Sequence, residues 1–302
     1  MQIAIAGSSG LVGTALVEHL RGAGHHIVRL VRSTPAAGSS DVQWDPASGA
    51  MPIGALDGAD AVINLSGAGI GDHRWSDAYK RELLESRLRT TELLATTIAA
   101  SSASARLPAV FLSGSAIGWY GPRGDEPLDE TSAPGSGFLA ELCTRWEAAT
   151  AAAAGVGVRT VQLRTGIVLS ARGGALRKQL PLFKMALGGR FGSGRQWQSW
   201  ISIFDEVGAI EHLLSSALSG PVNLTAPHPV TNRELTDVLG SVLRRPTVLP
   251  IPAFGPRLLL GRELADALLF SGQRVLPSRL LADGYVFRHS TLEPALRAIL
   301  GR

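Results

Sequence analysis

Ala4-Ile5-Ala6-Gly7-Ser8-Ser9-Gly10-Leu11-Val12-Gly13 decides the fold of this chain. A short apolar run over residues 2–6 breaks into three glycines, then into a helical pattern carried by Leu11, Val12, Ala15, Leu16 and Leu20. Strand, glycine turn and helix in that order form a site for a dinucleotide pyrophosphate. Gly7 permits the sharp turn out of the strand, and Gly10 lets backbone N–H groups approach phosphate oxygens. Gly13 lets the helix pack closely on the strand. Ser8, Ser9, Leu11 and Val12 complete the turn, and the anion would sit at the positive end of the helix dipole.

Outward from this turn the alternation continues. Strands are expected at 27–31, 61–65, 109–112 (running into Ser113-Gly114-Ser115) and 158–164, with helices over 11–21, 76–100 and 137–154. This order predicts an α/β protein, a Rossmann-type doubly wound parallel sheet covered on both faces. After Leu169 the pattern changes. Residues 170–204 are rich in glycine and arginine, 221–225 reads as a strand, and Thr231-Asn232-Arg233-Glu234 is a capping box opening a helix to Leu243. Beyond it, helices are broken by Pro246, Pro250, Pro252, Pro256 and Pro277. The expected division is a nucleotide domain over 1–169, with 205–227 returning to it, and a smaller C-terminal substrate lobe made of 170–204 and 228–302.

Composition narrows the function classes. The chain has 302 residues, 45% hydrophobic and 18% charged, which is enough for a large core and a second lobe. Its single cysteine, Cys143, excludes an internal disulfide and suggests a reducing compartment. The first apolar run has no basic region before it and is too short for a signal peptide, and no stretch approaches the length of a membrane span. A cytoplasmic location and no membrane partner are expected. Net charge is +4, with lysine only at Lys80, Lys178 and Lys184 and no dense basic run, so a nucleic-acid surface is not expected. The seven histidines show no metal-ligand spacing, and Ser113-Gly114-Ser115 lacks the nucleophile elbow of a serine hydrolase.

The second strand selects the cofactor. In a dinucleotide-binding unit a carboxylate near its end usually holds the ribose 2′-hydroxyl of NAD. Here the strand ends Arg29-Leu30-Val31-Arg32-Ser33, with no carboxylate at or next to that end. Arg32 suits a 2′-phosphate, so the expected cofactor is NADP(H). Leu65-Ser66-Gly67, after Asn64, allows close approach of the adenosine half.

The chain resembles the extended short-chain dehydrogenase/reductases and, more narrowly, their "epimerase family" often labelled nucleoside-diphosphate-sugar epimerase. Beyond the glycine turn, the resemblance rests on Asn64-Leu65-Ser66-Gly67, Arg74-Trp75, Ser86-Arg87, the run 113–121, Arg164-Thr165-Gly166-Ile167-Val168-Leu169, the run 192–201, the run 221–227 and the run 272–277. It covers nearly the whole chain. It implies cofactor contacts from Ser33, Ser113, Thr165 and Gly166 as well, and a substrate-oxygen contact from Ser115. It also implies a Tyr-x-x-x-Lys acid–base pair on the following helix. Aligned through Glu147, those two positions hold Leu139 and Cys143, and neither can do that work. Many members have a histidine after the position of Ile201; here it is Ser202.

Tyr120, just past Ser115, is then the candidate acid, with Cys143 a weaker one. On the substrate side Arg172, Arg177, Arg190 and Arg195 suit an anionic ligand, and Trp197 and Trp200 a flat or apolar group. The sequence leaves three readings open: an NADP(H)-dependent oxidoreductase on a small carbonyl or hydroxyl compound, a sugar-nucleotide epimerase, and a non-catalytic NADP(H)-binding sensor. The helices at 84–98 and 138–149 are candidates for a homodimer contact.

Overall fold

The computed structural model describes residues 1–101 and 106–302. In chain order the strands are β1 Gln2–Ala6, β2 His26–Val31, β3 Val42–Gln43, β4 Ala61–Asn64, β5 Val110–Ala116, β6 Pro127–Leu128 and β7 Arg159–Thr165. They continue as β8 Ile167–Leu169, β9 Trp197–Gln198, β10 Trp200–Ser202, β11 Gly220–Leu224, β12 Val230–Thr231 and β13 Arg274–Val275. The helices are α1 Leu11–Gly22, α2 Asp77–Ser101, α3 Phe138–Ala148, α4 Ala151–Gly155, α5 Gly174–Lys184 and α6 Ile203–Ser215. After these come α7 Asn232–Leu243, α8 Phe254–Leu260, α9 Arg262–Ala265, α10 Ser278–Ala282 and α11 Leu292–Leu300.

Seven strands form one sheet in the order β11-β7-β5-β4-β1-β2-β3, every neighbouring pair parallel. The α/β doubly wound expectation therefore holds. Side chains alternate along β1: Ile3 and Ile5 pack with Leu16 and Leu20 of α1 and Ile210 of α6, while Ala4 and Ala6 face Leu94, Ala95 and Ile98 of α2. The strand order reverses between β1 and β4, so a crevice opens at the carboxyl ends of the strands, where such sheets bind ligands. A separate apolar core joins α5, α7 and α11 through Leu180, Phe183, Leu239, Leu296 and Trp200.

Two boundaries differ from expectation by more than a residue. The strand expected at 109–112 runs on to Ala116, because Ser113, Gly114 and Ser115 keep pairing with Gln162, Leu163 and Arg164. The helix expected over 137–154 breaks after Ala148. There the Thr150 hydroxyl donates to the Glu147 carbonyl (2.7 Å) and accepts from Gln162 Nε2 (3.0 Å), which draws the chain toward β7.

Candidate functional site

The glycine turn is set by clearances. Gly7 has φ +79°, and a Cβ there would lie 2.5 Å from the Leu65 carbonyl carbon. A Cβ on Gly13 would lie 2.1 Å from the Gly7 oxygen. Both glycines are required by the protein's own backbone. Gly10 is different: its Cβ would meet only the Gly7 oxygen, at 3.4 Å, and otherwise open space. Gly10 also caps α1 with no side-chain hydrogen bond, so the first N–H groups of the helix are left for an anion. Ser8 is buried and Ser9 exposed. Val12 packs onto the core, while Leu11 lies against Gly173 and Gly174 before α5.

At the end of β2, Arg32 and Ser33 are exposed. The nearby carboxylate, Asp41, is already committed: it pairs with Arg29, whose hydrogen bonds hold its pKa below the usual carboxylate value. Among the described residues Arg32 has no carboxylate partner, so its guanidinium remains available. At the end of β4, Asn64 donates from Nδ2 to Thr91 Oγ1 (3.0 Å) and accepts from the Ser66 amide (3.0 Å), which fixes the turn Leu65-Ser66-Gly67.

Arg87, in the Ser86-Arg87 motif, has surroundings that the sequence alone does not show. Its guanidinium lies against Gly67, where an added Cβ would be 3.1 Å from Cζ, and over the Trp146 ring at 4.9 Å. One terminal nitrogen donates to the Leu83 carbonyl (2.8 Å), while the buried Nε has no partner. Burial lowers its pKa. A partly desolvated arginine with no carboxylate, at the end of a central strand, fits an anionic group of a ligand. Gly10, Arg32 and Arg87 together make the crevice fit a dinucleotide.

The other half of the crevice is closed by a buried polar network. Ser115 donates to Glu147 Oε1 (2.6 Å), and Arg164 grips Glu147 through Nε (2.8 Å) and a terminal nitrogen (2.9 Å). The other terminal nitrogen of Arg164 donates to the Tyr120 hydroxyl (3.1 Å), which donates to Asn223 Oδ1 (2.7 Å). Arg164 also stacks on Trp119 at 3.9 Å. Carboxylates only accept and guanidinium groups only donate, so every hydrogen in this chain has one direction. Tyr120 is 0% exposed, and burial pushes its pKa up to about 12. This corrects the expectation of Tyr120 as the acid: its hydrogen is committed to Asn223 and its oxygen to Arg164. Cys143 is no substitute, since burial pushes its thiol up to about 12. The positions where the resemblance places tyrosine and lysine are filled by packing, with Leu139 and Cys143 both against Gly118.

Ser113 is fully buried in β5. Thr165 donates to Glu206 Oε1 (2.9 Å), and a Cβ on Gly166 would lie 2.4 Å from the Ser199 oxygen. Glu206 is fully buried, its Oε2 has no partner, and desolvation pushes its pKa up to about 8. Trp200 corrects another expectation: it is 0% exposed, in the α5–α7–α11 core, with its ring N–H on the His228 carbonyl (3.1 Å). Trp197 is half-buried, its ring N–H bonded to Asp125 (2.7 Å) and Arg274 over its face at 4.8 Å. Arg195 is exposed, whereas Arg172 pairs with Glu18 (2.9 Å).

The model of the NAD dependent epimerase/dehydratase family matches residues 3–224, and that of a domain of unknown function, DUF1731, matches 251–299. An "Epimerase family protein" of Mycobacterium bovis is 47% identical over 295 residues, 97% of this chain and 96% of the relative. The crystal structure of human epimerase family protein SDR39U1 (isoform 2) with NADPH superimposes with a TM-score of 0.88 at 34% identity, covering 100% of this chain and 99% of that one. A structure described as the nucleoside-diphosphate sugar epimerase from Corynebacterium glutamicum gives 0.80 at 36% identity, with this chain spanning 58% of its length.

Proposed function

The chain belongs to the NAD dependent epimerase/dehydratase family, and from that premise we propose that it is an NADP(H)-dependent oxidoreductase acting on a small carbonyl or hydroxyl compound. The observation that carries the reading is the pair of arginines without carboxylates, Arg32 beyond β2 and Arg87 beside Gly67, flanking a glycine turn whose middle glycine faces open space. Arg32 would hold the 2′-phosphate and Arg87 a second anionic group, with the α1 amides on the pyrophosphate. That the human relative was crystallised with NADPH supports the choice. Bound NADPH would supply a hydride; this chain's residues would bind and orient it.

The network limits how the proton is handled. With its hydrogen given to Glu147, Ser115 presents only lone pairs. It therefore suits a substrate hydroxyl, which donates, better than a carbonyl, which needs a donor. Proton transfer to or from the substrate then falls to solvent or to the substrate itself. The same commitment of hydrogens favours a second reading, a protein that holds NADP(H) without turnover. Single-turnover experiments on the NADP+ complex with a panel of primary and secondary alcohols, and on the NADPH complex with the matching carbonyl compounds, separate the two. A change in nicotinamide absorbance with any member, slowed in Ser115→Ala, is the expected result. Tight cofactor binding with no hydride transfer in either direction overturns the oxidoreductase reading.

A further inference from the structure

We propose that the outer face of the substrate lobe docks peripherally on an anionic lipid bilayer. Leu182, Met185, Leu187, Val248 and Leu249 are all exposed, the last two at 78% and 74%. One side-chain and two backbone contacts bring the two segments together. Arg245 donates to the Lys184 carbonyl (2.9 Å), Ile251 N to the Arg190 carbonyl (2.8 Å), and the Leu249 carbonyl lies directly on Gly189. Starting three residues past Ile251, α8 also exposes Phe254, Leu258 and Leu259, each by more than 70%. Large apolar side chains exposed together mark an interaction surface.

The backbone holds them out at a cost. Among the described residues only Ala186 (φ +61°) and Arg244 (φ +54°) are non-glycine residues with left-handed backbone, and both lie in this face. Such conformations persist where surrounding contacts impose them, often at functional surfaces. Ala186 sits between the exposed Met185 and Leu187, in a turn closed by Leu187 N on the Leu182 carbonyl (2.9 Å).

Charge selects the partner. Residues 148–204 and 238–262 contain no aspartate or glutamate. Lys184, Arg244 and Arg245 border the apolar cluster, all exposed, none with a carboxylate partner among the described residues. A second copy of the chain docked face to face would set these like charges against each other, whereas anionic headgroups complement them while the apolar tips enter the interface. No described helix is long and apolar enough to cross a membrane, so the contact is superficial. The expectation of no membrane partner rested on that absence of a span.

The test is co-sedimentation of the full chain with vesicles of phosphatidylcholine, or of equal parts phosphatidylcholine and phosphatidylglycerol. Partition about tenfold stronger onto the anionic vesicles, weakened by salt, is expected. The pairs Val248→Ser with Leu249→Ser, and Lys184→Glu with Arg244→Gly, should each reduce it about tenfold while leaving NADPH binding unchanged; glycine suits the left-handed backbone at 244. Equal partition onto both vesicles, no sedimentation, or sedimentation unaffected by both pairs overturns the proposal. So does a concentration-dependent dimer that the Val248/Leu249 pair abolishes, which would assign the face to self-association.

Discussion

The two ends of the crevice are built on opposite plans. At β1 and α1 the site is made of missing atoms: Gly7 and Gly13 have no room for a side chain, and Gly10 leaves room that the protein itself does not fill. At β5 and β7 the site is filled by present atoms: Ser115, Glu147, Arg164, Tyr120 and Asn223 satisfy one another in a fixed chain. The first plan prepares for a ligand; the second has its own polar groups already paired. On the proposed reading, cofactor binding and proton transfer are thus separable along the carboxyl ends of one sheet.

The comparison is broken most severely from the filled side. Glu147→Gln leaves Arg164 buried without its counter-ion, and the expected loss is about 4 kcal/mol in denaturant unfolding. A loss under about 1 kcal/mol would show that the network is not a structural unit. On the open side, Gly13→Ala forces a Cβ onto the Gly7 oxygen and should cost about 3 kcal/mol together with cofactor binding. Gly10→Ala, whose Cβ has only one contact, should keep normal stability and lose about tenfold in NADPH affinity. If the two alanines behave alike, the distinction between clearance for the protein and clearance for a ligand is wrong.

Glu206 sharpens the boundary between the halves. Burial raises its pKa from 4.5 to about 8, so between these values the folded chain keeps a proton that the unfolded chain has lost. Stability therefore falls as pH rises through that window. Glu206→Gln, which mimics the protonated acid, should be more stable than the parent at pH 6, on the order of 2 kcal/mol, and equal to it near pH 4. Parallel stability–pH curves for the two proteins would contradict the assignment.

The legible parts of the chain were those written in backbone requirements. Three glycines, an apolar run and a helical period place β1, α1 and the turn between them, because only glycine meets those clearances. The capping box at Thr231 and Glu234 is present as read. What escaped was tertiary partnership. Tyr120 and Trp200 have the right chemistry for a site, but their hydrogen-bond partners, Asn223 and His228, and the apolar clusters that bury them come from far along the chain. Glu147 served only as an alignment anchor, though Arg164, an arginine on the same face of a buried strand as Thr160 and Gln162, signalled a buried partner. Arg87 was hidden by lying on a long helix rich in charges, where most arginines are solvated.

On the proposed reading, the open half selects a phosphorylated dinucleotide through Arg32. Fluorescence titration of the protein and of Arg32→Ala with NADPH and with NADH tests it directly. NADPH should bind more tightly than NADH, and the substitution should remove roughly tenfold or more of NADPH affinity while leaving NADH unchanged. Equal affinities for the two cofactors, or an Arg32→Ala protein that binds NADPH as the parent does, would contradict it.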